Sequence, residues 1–234
     1  MDTRTAWTNR AEALAFIGNS LLAPMNQTSS NGIDPGFWNI FPDFGDEDIR
    51  MSVKACKHCV ELLRELARDE SEAIARASIE YTRLFIGPPR PEAAPWETMY
   101  RQNGNLDPND IVGFGQATFE MQALLREAGL VMSNENNQYA DHMGIELLYA
   151  STLCSKVASA QSADCAMWEA KAVEFLERHP LAWISKLICA VRVADRKSKD
   201  SVESFGEAGG YIFNLLSLAE NIMKSIARQS PAAR

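Results

Sequence analysis

Long apolar runs, basic charge and paired cysteines are all scarce in this 234-residue sequence. No stretch reaches the ~18–20 uninterrupted apolar residues of a membrane-spanning helix, so we expect no stable membrane insertion. The formal net charge of −8 argues against nucleic-acid binding, because phosphate contacts require a basic face. The same charge suits a basic peptide partner, since complementary charge speeds and orients encounter.

Cysteines are few, odd in number and scattered, with five in the whole chain. This usage is typical of a reducing compartment, where thiols serve as small buried hydrophobes. The first residues carry Asp2, Arg10 and Glu12 and lack the apolar core of a signal peptide. We therefore expect a cytoplasmic protein.

Sequence motifs for phosphate binding or nucleophilic catalysis are also missing. The chain contains no G-x-x-x-x-G-K-[ST], no G-x-G-x-x-G and no G-x-S-x-G. No constellation for nucleophilic catalysis is visible, and the sequence points to no such enzyme class.

Helical periodicity covers most of the chain, and no sustained alternating run indicates a strand. The predicted helices span about 4–22, 46–67, 69–85, 108–129, 139–160, 164–178, a segment opened by Pro180, and 208–228. The connection 24–42 contains Phe37, Trp38 and Phe41 and is predicted to be pinned to the core. Residues 194–200 read as a charged, exposed linker.

The fold class is therefore predicted to be all-α, a single globular bundle of roughly eight or more helices over residues 1–234. Soft boundaries are predicted in the loops 101–110 or 131–138, where the helical pattern is interrupted.

The most unusual stretch is the proline-rich loop that follows the third helix, EYTRLFIGPPRPEAAPWETMY from Glu80 to Tyr100. Gly87 is placed to end the helix, and Pro88 and Pro89 prevent it from continuing. Aromatic residues lie at both ends of the loop. A loop of this composition is expected to build a surface.

Two groups of residues are candidates for chemistry. Asp141, His142 and Glu146 lie at a helix start, where the i,i+4 spacing puts His142 and Glu146 on one face. They suit a metal or acid/base site, or else an acidic helix start with a hydrogen-bonded histidine. Cys56 and Cys59 share a helix face, which suits core packing better than zinc because no second ligand pair follows.

Four motifs occur in an order that resembles the TorD/DmsD/NarJ family of redox-enzyme maturation chaperones. They are Tyr81-x-x-Leu84-Phe85-x-Gly87-Pro88, Pro95-Trp96-Glu97-Thr98-x-Tyr100, Asp141-His142-x-Gly144-x-Glu146-Leu147 and Phe175-Leu176-Glu177-x-His179-x-x-x-Trp183. The resemblance covers about residues 80–185. Thr98, and Pro180 after His179, depart from the usual family residues, so the subfamily and client stay open.

The resemblance implies an all-α cytoplasmic chaperone without enzymatic activity. Such proteins bind the twin-arginine leader or the apoprotein of a molybdoenzyme, typically of the dimethyl-sulfoxide reductase type, and delay its export until the cofactor is inserted. No cofactor is expected, although weak GTP binding is associated with some members. A monomer or a helix-swapped dimer is implied.

A peptide-binding groove is the functional site that this resemblance predicts. Its apolar-aromatic wall and its acidic wall are expected to comprise Tyr81, Leu84, Phe85, Pro95, Trp96, Tyr100, Asp141, His142 and Glu146. Rigid aromatics lose little entropy on binding, and carboxylates form charge-assisted bonds with arginines. We expect Pro95-Trp96 and Asp141-His142 to be exposed, whereas Leu84 and Phe85 equally suit the core.

Two other functions are consistent with the residues alone. One is a metal-dependent enzyme that uses Asp141, His142 and Glu146. The other is a non-catalytic helical scaffold in which Trp96 is simply buried.

Overall fold

The computed structural model describes residues 3–87, 89–101, 114–132, 138–198 and 205–229, and this part of the chain is all-α. Its helices are α1 (Thr3–Ser20), α2 (Pro35–Ile40), α3 (Glu47–Leu66), α4 (Glu70–Tyr81), α5 (Thr98–Arg101), α6 (Gln116–Glu127), α7 (Met143–Ser159), α8 (Ser162–Arg178), α9 (Pro180–Lys197) and α10 (Tyr211–Gln229). Within these ranges there is no strand, and one isolated antiparallel bridge joins Trp96 to His142. The predicted fold class is confirmed.

Aspartates begin three of the helices, because their side chains accept hydrogen bonds from otherwise unpaired N–H groups of the first turn. Asp46 accepts from the second and third residues of α3, and Asp34 accepts from Gly36 in α2. Asp69 accepts from the N–H of Glu72 at 2.9 Å, which confirms the predicted start of α4.

Helix α7 is the central element, with α1, α8 and α9 packed against it. Two glycines allow α1 and α7 to approach closely. A Cβ at Gly18 would lie 2.9 Å from the carbonyl oxygen of Gly144, and one at Gly144 would lie 2.7 Å from that of Gly18. Helix α10 packs mainly on α3 and α9. The first turn of α7 is consequently in close contact with α1 inside the bundle.

The segment between α1 and α3 is packed against the core, as its aromatic residues predicted. Trp38 is buried and its indole N–H donates to the carbonyl of Gly32 at 2.9 Å. The rings of Phe37 and Trp38 lie 4.6 and 5.9 Å from that of Phe16. Helix α2 was not predicted, because its six residues are too few to show a periodic pattern.

The prediction of an exposed linker at 194–200 is wrong for its first half. Helix α9 continues to Lys197, and Asp195 is buried on it. Asp195 accepts a hydrogen bond from Arg83 at 2.6 Å, and this ion pair allows a carboxylate to lie inside the helix packing.

Several predictions fall outside the described residues. The predicted start of α6 at residue 108 and most of the soft boundaries at 101–110 and 131–138 lie there. The single-domain assignment stays a prediction.

The cysteines follow the expected pattern in part. Cys56, Cys59 and Cys154 are buried, whereas Cys165 is half-buried and Cys189 is exposed. Burial raises the pKa of the Cys56 thiol, and His58 between the first two cysteines points to solvent. The packed-face interpretation of Cys56 and Cys59 therefore fits better than a zinc site.

None of the described helices is long and apolar enough to cross a membrane.

Candidate functional site

The proline-rich loop leaves α4 through a π-helical turn, Thr82–Ile86. The N–H of Gly87 donates to the carbonyl of Thr82 at 2.7 Å and closes this turn. Gly87 has φ of +59°, and a Cβ there would overlap the backbone of Arg90. The predicted glycine stop is confirmed, and Pro88 lies outside the described residues.

The loop then pairs with the segment that precedes α7. The N–H of Glu97 donates to the carbonyl of Asp141, and the N–H of Met143 donates to the carbonyl of Pro95, both at 2.9 Å. These bonds flank the Trp96–His142 bridge. The two segments that the sequence motifs singled out are therefore in direct contact.

Asp141 holds three parts of the chain together from a fully buried position. Its Oδ2 accepts from the N–H of Thr98 at 2.9 Å and from the Thr98 hydroxyl at 2.6 Å. Its Oδ1 accepts from the hydroxyl of Thr118 on α6 at 2.9 Å. The expected exposure of Asp141 is wrong, because these donors satisfy the carboxylate inside the protein.

His142 is the N-cap of α7 and is also fully buried, contrary to expectation. Its Nδ1 accepts from the N–H of Gly144 at 3.0 Å, so this nitrogen carries no proton. Burial lowers the pKa of His142 to about 3. The imidazole packs edge-on against the rings of Phe85 and Trp96, at 6.4 and 6.3 Å. The ring is neutral, and its Nε2–H has no acceptor among the described residues.

Glu146 projects from α7 into a buried polar cluster with Glu97 and His179. The indole N–H of Trp183 donates to Glu146 Oε2 at 3.0 Å, and His179 Nδ1 lies 3.1 Å from Glu97 Oε2. Arg101 Nε forms an ion pair with Glu97 Oε1 at 2.7 Å. Burial, and then the nearby Glu97 carboxylate, raise the pKa of Glu146 well above its usual range.

Most of the other predicted groove residues belong to the core. Tyr81, Leu84, Phe85 and Pro95 are buried, so the expected exposure of Pro95 is wrong. The Tyr81 hydroxyl donates to the carbonyl of Leu21 at 3.3 Å. Tyr100 is half-buried and stacks on Trp183 with ring centroids 5.4 Å apart. For Tyr81, Leu84 and Phe85 the core-packing alternative describes the observed positions.

Trp96 is partly exposed and adjoins an aromatic surface that the sequence did not reveal. Its ring lies 5.8 Å from that of Tyr139, which lies 5.7 Å from Phe114, which in turn lies 4.8 Å from Phe119. We call Trp96, Phe114, Phe119 and Tyr139 the aromatic patch. Phe119, Phe114 and Tyr139 are 54, 43 and 42 % exposed, an unusual extent for neighbouring aromatics.

The described geometry does not bring Asp141, His142 and Glu146 together as metal ligands. Asp141 is engaged by two threonines, His142 caps a helix, and Glu146 meets Glu97 and His179 instead. Glu97 and His179 were missed as site residues, although both lie within the motifs quoted above. Their partners lie far away in sequence, and local patterns carry no signal for such contacts.

Comparison with known families finds a match to the family described as nitrate reductase delta subunit, over residues 50–188. This range is more than half of the chain and contains every predicted groove residue. No curated protein matches the chain significantly. The matched range also includes the aromatic patch and the cluster of Glu97, Glu146 and His179.

Proposed function

Because the chain belongs to the nitrate reductase delta subunit family of molybdoenzyme maturation chaperones, which are not enzymes, we propose that it binds a twin-arginine leader. The leader, or the apoprotein that carries it, belongs to a molybdoenzyme of the dimethyl-sulfoxide reductase type. Binding takes place in the cytoplasm and delays export until the cofactor is inserted. The chaperone acts as a monomer or as a helix-swapped dimer.

The aromatic patch is the observation that carries this proposal. Its members come from the proline-rich loop, the start of α6 and the segment before α7. Rigid aromatic side chains that remain exposed on a folded protein favour apolar peptide binding, since little entropy is lost when they are covered. The apolar stretch of a leader, which follows its arginine pair, is suited to this patch.

Trp96 provides an additional contact for a peptide. Its indole N–H is buried and has no hydrogen-bond partner among the described residues, although the side chain as a whole is only half-buried. A buried donor without an acceptor is costly, and a peptide carbonyl would satisfy it. Trp96 is therefore the predicted groove residue best placed to contact the ligand directly.

The buried members of the predicted groove hold the aromatic patch in place and do not contact the peptide themselves. Asp141 bonds to Thr98 and Thr118 and so fixes the loop that carries Trp96 relative to the helix that carries Phe119. In this arrangement Asp141 positions the patch and does not meet the arginines. The net charge of −8 draws the cationic end of the leader to the protein.

Fluorescence anisotropy with a labelled leader peptide tests the proposal. We expect Trp96→Ala and Phe119→Ala each to weaken binding about tenfold or more, as is typical of central aromatic contacts. Ile40→Ala is the matched control, because Ile40 is 83 % exposed on α2 and lies outside the patch. Equal affinities for all three variants would refute the assignment of the patch.

The arginine pair is tested separately with a peptide in which both arginines are replaced by glutamine. Weaker binding that also becomes less sensitive to salt supports recognition of the pair. Unchanged binding would restrict the function to apolar recognition of the client.

A further inference from the structure

Glu97, Glu146 and His179 form a buried group whose ligand atoms all lie within 4.8 Å of one another. They come from the proline-rich loop, α7 and the junction of α8 and α9. We propose that this carboxylate–histidine cluster binds one divalent transition-metal cation, such as Zn²⁺ or Mn²⁺. Two carboxylates and one imidazole are a donor set that such ions accept.

The spacing of two donors already suits a shared ion. His179 Nδ1 and Glu97 Oε2 are 3.1 Å apart. Neighbouring ligands that each lie ~2.1 Å from one ion are separated by about 3.0 Å in octahedral and about 3.4 Å in tetrahedral geometry. The imidazole would lose its Nδ1 proton on binding, as a metal-ligating histidine must be unprotonated at the ligating nitrogen.

Glu146 supplies an independent observation. Trp183 donates to its Oε2, while its Oε1 is buried and meets no donor within the described part of the chain. The neighbouring group is the Glu97 carboxylate, with which Glu146 shares a hydrogen bond only when one of the two carries a proton. A carboxylate oxygen in this situation loses its hydration without compensation. A cation bound at the cluster would supply the missing interaction.

The carboxylates at the cluster outnumber the cations around it, which favours the binding of a divalent cation. Arg101 is the cation in contact with Glu97, but its guanidinium also forms an ion pair with Glu120 at 2.8 Å. Arg101 is thus shared between two carboxylates, of which Glu120 is also close to Arg178, and Glu146 adds a further carboxylate for which no ion pair is seen among the described residues. Either a proton or a metal cation must offset this excess negative charge. The two alternatives are distinguished by the metal-binding experiment described below.

The surroundings of the cluster meet another requirement of a metal site. Trp183 and Arg101 orient one oxygen of each carboxylate, as outer contacts do in established sites. His179 also lines a cavity of about 340 Å³ whose walls include acidic Glu174 and basic Lys171. His179 is the member of the cluster that borders this cavity, whereas Glu97 and Glu146 lie behind it.

Metal binding is tested on the full chain after treatment with a chelator. The protein is dialysed against Zn²⁺ or Mn²⁺, its metal content is measured by mass spectrometry, and its affinity is measured by calorimetry. We expect about one equivalent of metal and a rise in thermal stability. Glu146→Gln should weaken binding at least about tenfold. Glu174→Gln, on the cavity wall outside the cluster, should leave it unchanged.

Two further variants keep the test decisive. Glu97→Gln replaces Glu146→Gln if that variant does not fold, as judged by circular dichroism. His58→Ala removes the exposed histidine beside Cys56 and Cys59, and loss of metal in this variant would overturn the proposal. So would the absence of stoichiometric metal, or equal binding by wild type and Glu146→Gln, because a shared proton then neutralises the carboxylates.

Leader binding measured on the same samples separates the two proposals. Trp96→Ala is expected to lose affinity for the peptide and to keep the metal. Failure of metal binding leaves the leader measurements unaffected, and failure of leader binding leaves the metal measurements unaffected.

Discussion

Glu80 and Glu146 are both buried glutamates on helices, but only one of them is fully satisfied by the fold. Glu80 accepts hydrogen bonds from the N–H groups of Tyr211 and Ile212 at 2.9 and 3.0 Å, one on each oxygen. It thereby caps α10 from another helix. Glu146 has a donor on one oxygen and none, among the described residues, on the other. Burial alone therefore does not mark a functional carboxylate, and neither does an unpaired oxygen alone, since Asp195 Oδ2 is also buried without a partner among the described residues. What distinguishes Glu146 is that Glu97 and His179 lie beside its unpaired oxygen.

Removal of the satisfied carboxylate should have the largest effect. Glu80→Ala leaves two buried N–H groups at the start of α10 without acceptors, each costing about 1–3 kcal/mol. We expect the free energy of unfolding to fall by roughly 3–5 kcal/mol in urea titrations. A loss below about 1 kcal/mol would show that solvent reaches these groups and that the contrast with Glu146 is overstated.

The second largest effect is expected in the pH dependence of stability, to which the protonation of Glu80 contributes. Burial raises its pKa from 4.5 to about 7, so the folded protein binds more protons than the unfolded chain between these values. The contribution of Glu80 to the free energy of unfolding is fully present below pH 4.5 and is lost as the pH rises through 7. The total loss is about 3 kcal/mol. The difference in unfolding free energy between wild type and Glu80→Gln should follow this course.

His142 contributes to the pH dependence of stability with the opposite sign. For this reason the test compares wild type with Glu80→Gln, which share the contribution of His142. Its pKa is lowered to about 3, so unfolding takes up a proton and stability falls as pH decreases below about 6.5. Glu80→Gln leaves this contribution intact. A difference curve that is flat between pH 4.5 and 8 would contradict the assignment to Glu80.

Asp141 extends the comparison to a third buried carboxylate, which is satisfied by three donors. Asp141→Asn should reduce the unfolding free energy by about 2 kcal/mol, because charge-assisted bonds are lost. It should also weaken leader binding, since the loop and α6 are no longer fixed together. Thr118→Val, which removes one donor, is the milder control for both measurements, and an unaltered affinity in Asp141→Asn would disprove the positioning role.

The smallest effect is expected at Glu146. Glu146→Gln keeps an acceptor for Trp183 and removes a buried ionisable group next to Glu97. In metal-free protein we expect stability to be unchanged or to rise by up to about 1 kcal/mol. A loss of more than about 2 kcal/mol would show that Glu146 is a structural residue like Glu80.

Local features of this fold were predictable from sequence. The spacing of Val53, Cys56, Val60, Leu63 and Leu66 predicts the buried face of α3. The first four are buried, whereas Leu66 in the last turn is exposed and that part of the prediction is wrong. The capping sequence at Asp69 gave the start of α4. Each of these predictions concerns residues only a few positions apart in the sequence, and helical geometry determines how such residues are arranged.

The candidate site depended on contacts that no local pattern encodes. Glu80 bonds to a residue 131 positions away, and His179 meets Glu97 across 82 positions. Arg83 pairs with Asp195 across 112 positions and draws a segment predicted as linker into the packing. The motifs did identify Pro95-Trp96 and Asp141-His142 as neighbours, but they could not indicate which side chains point inward.

The π-helical turn at Thr82–Ile86 has a consequence for how this region tolerates changes in length. Its closing bond spans five residues, from Gly87 to Thr82, whereas an α-helical bond spans four. Deletion of one residue from the turn could be absorbed by ordinary α-helix, without moving the ends of the segment apart. The cost of the deletion would fall inside the turn, where Leu84 and Phe85 fill core positions. The extra residue is thus what allows α4 and the proline-rich loop to keep their separate registers.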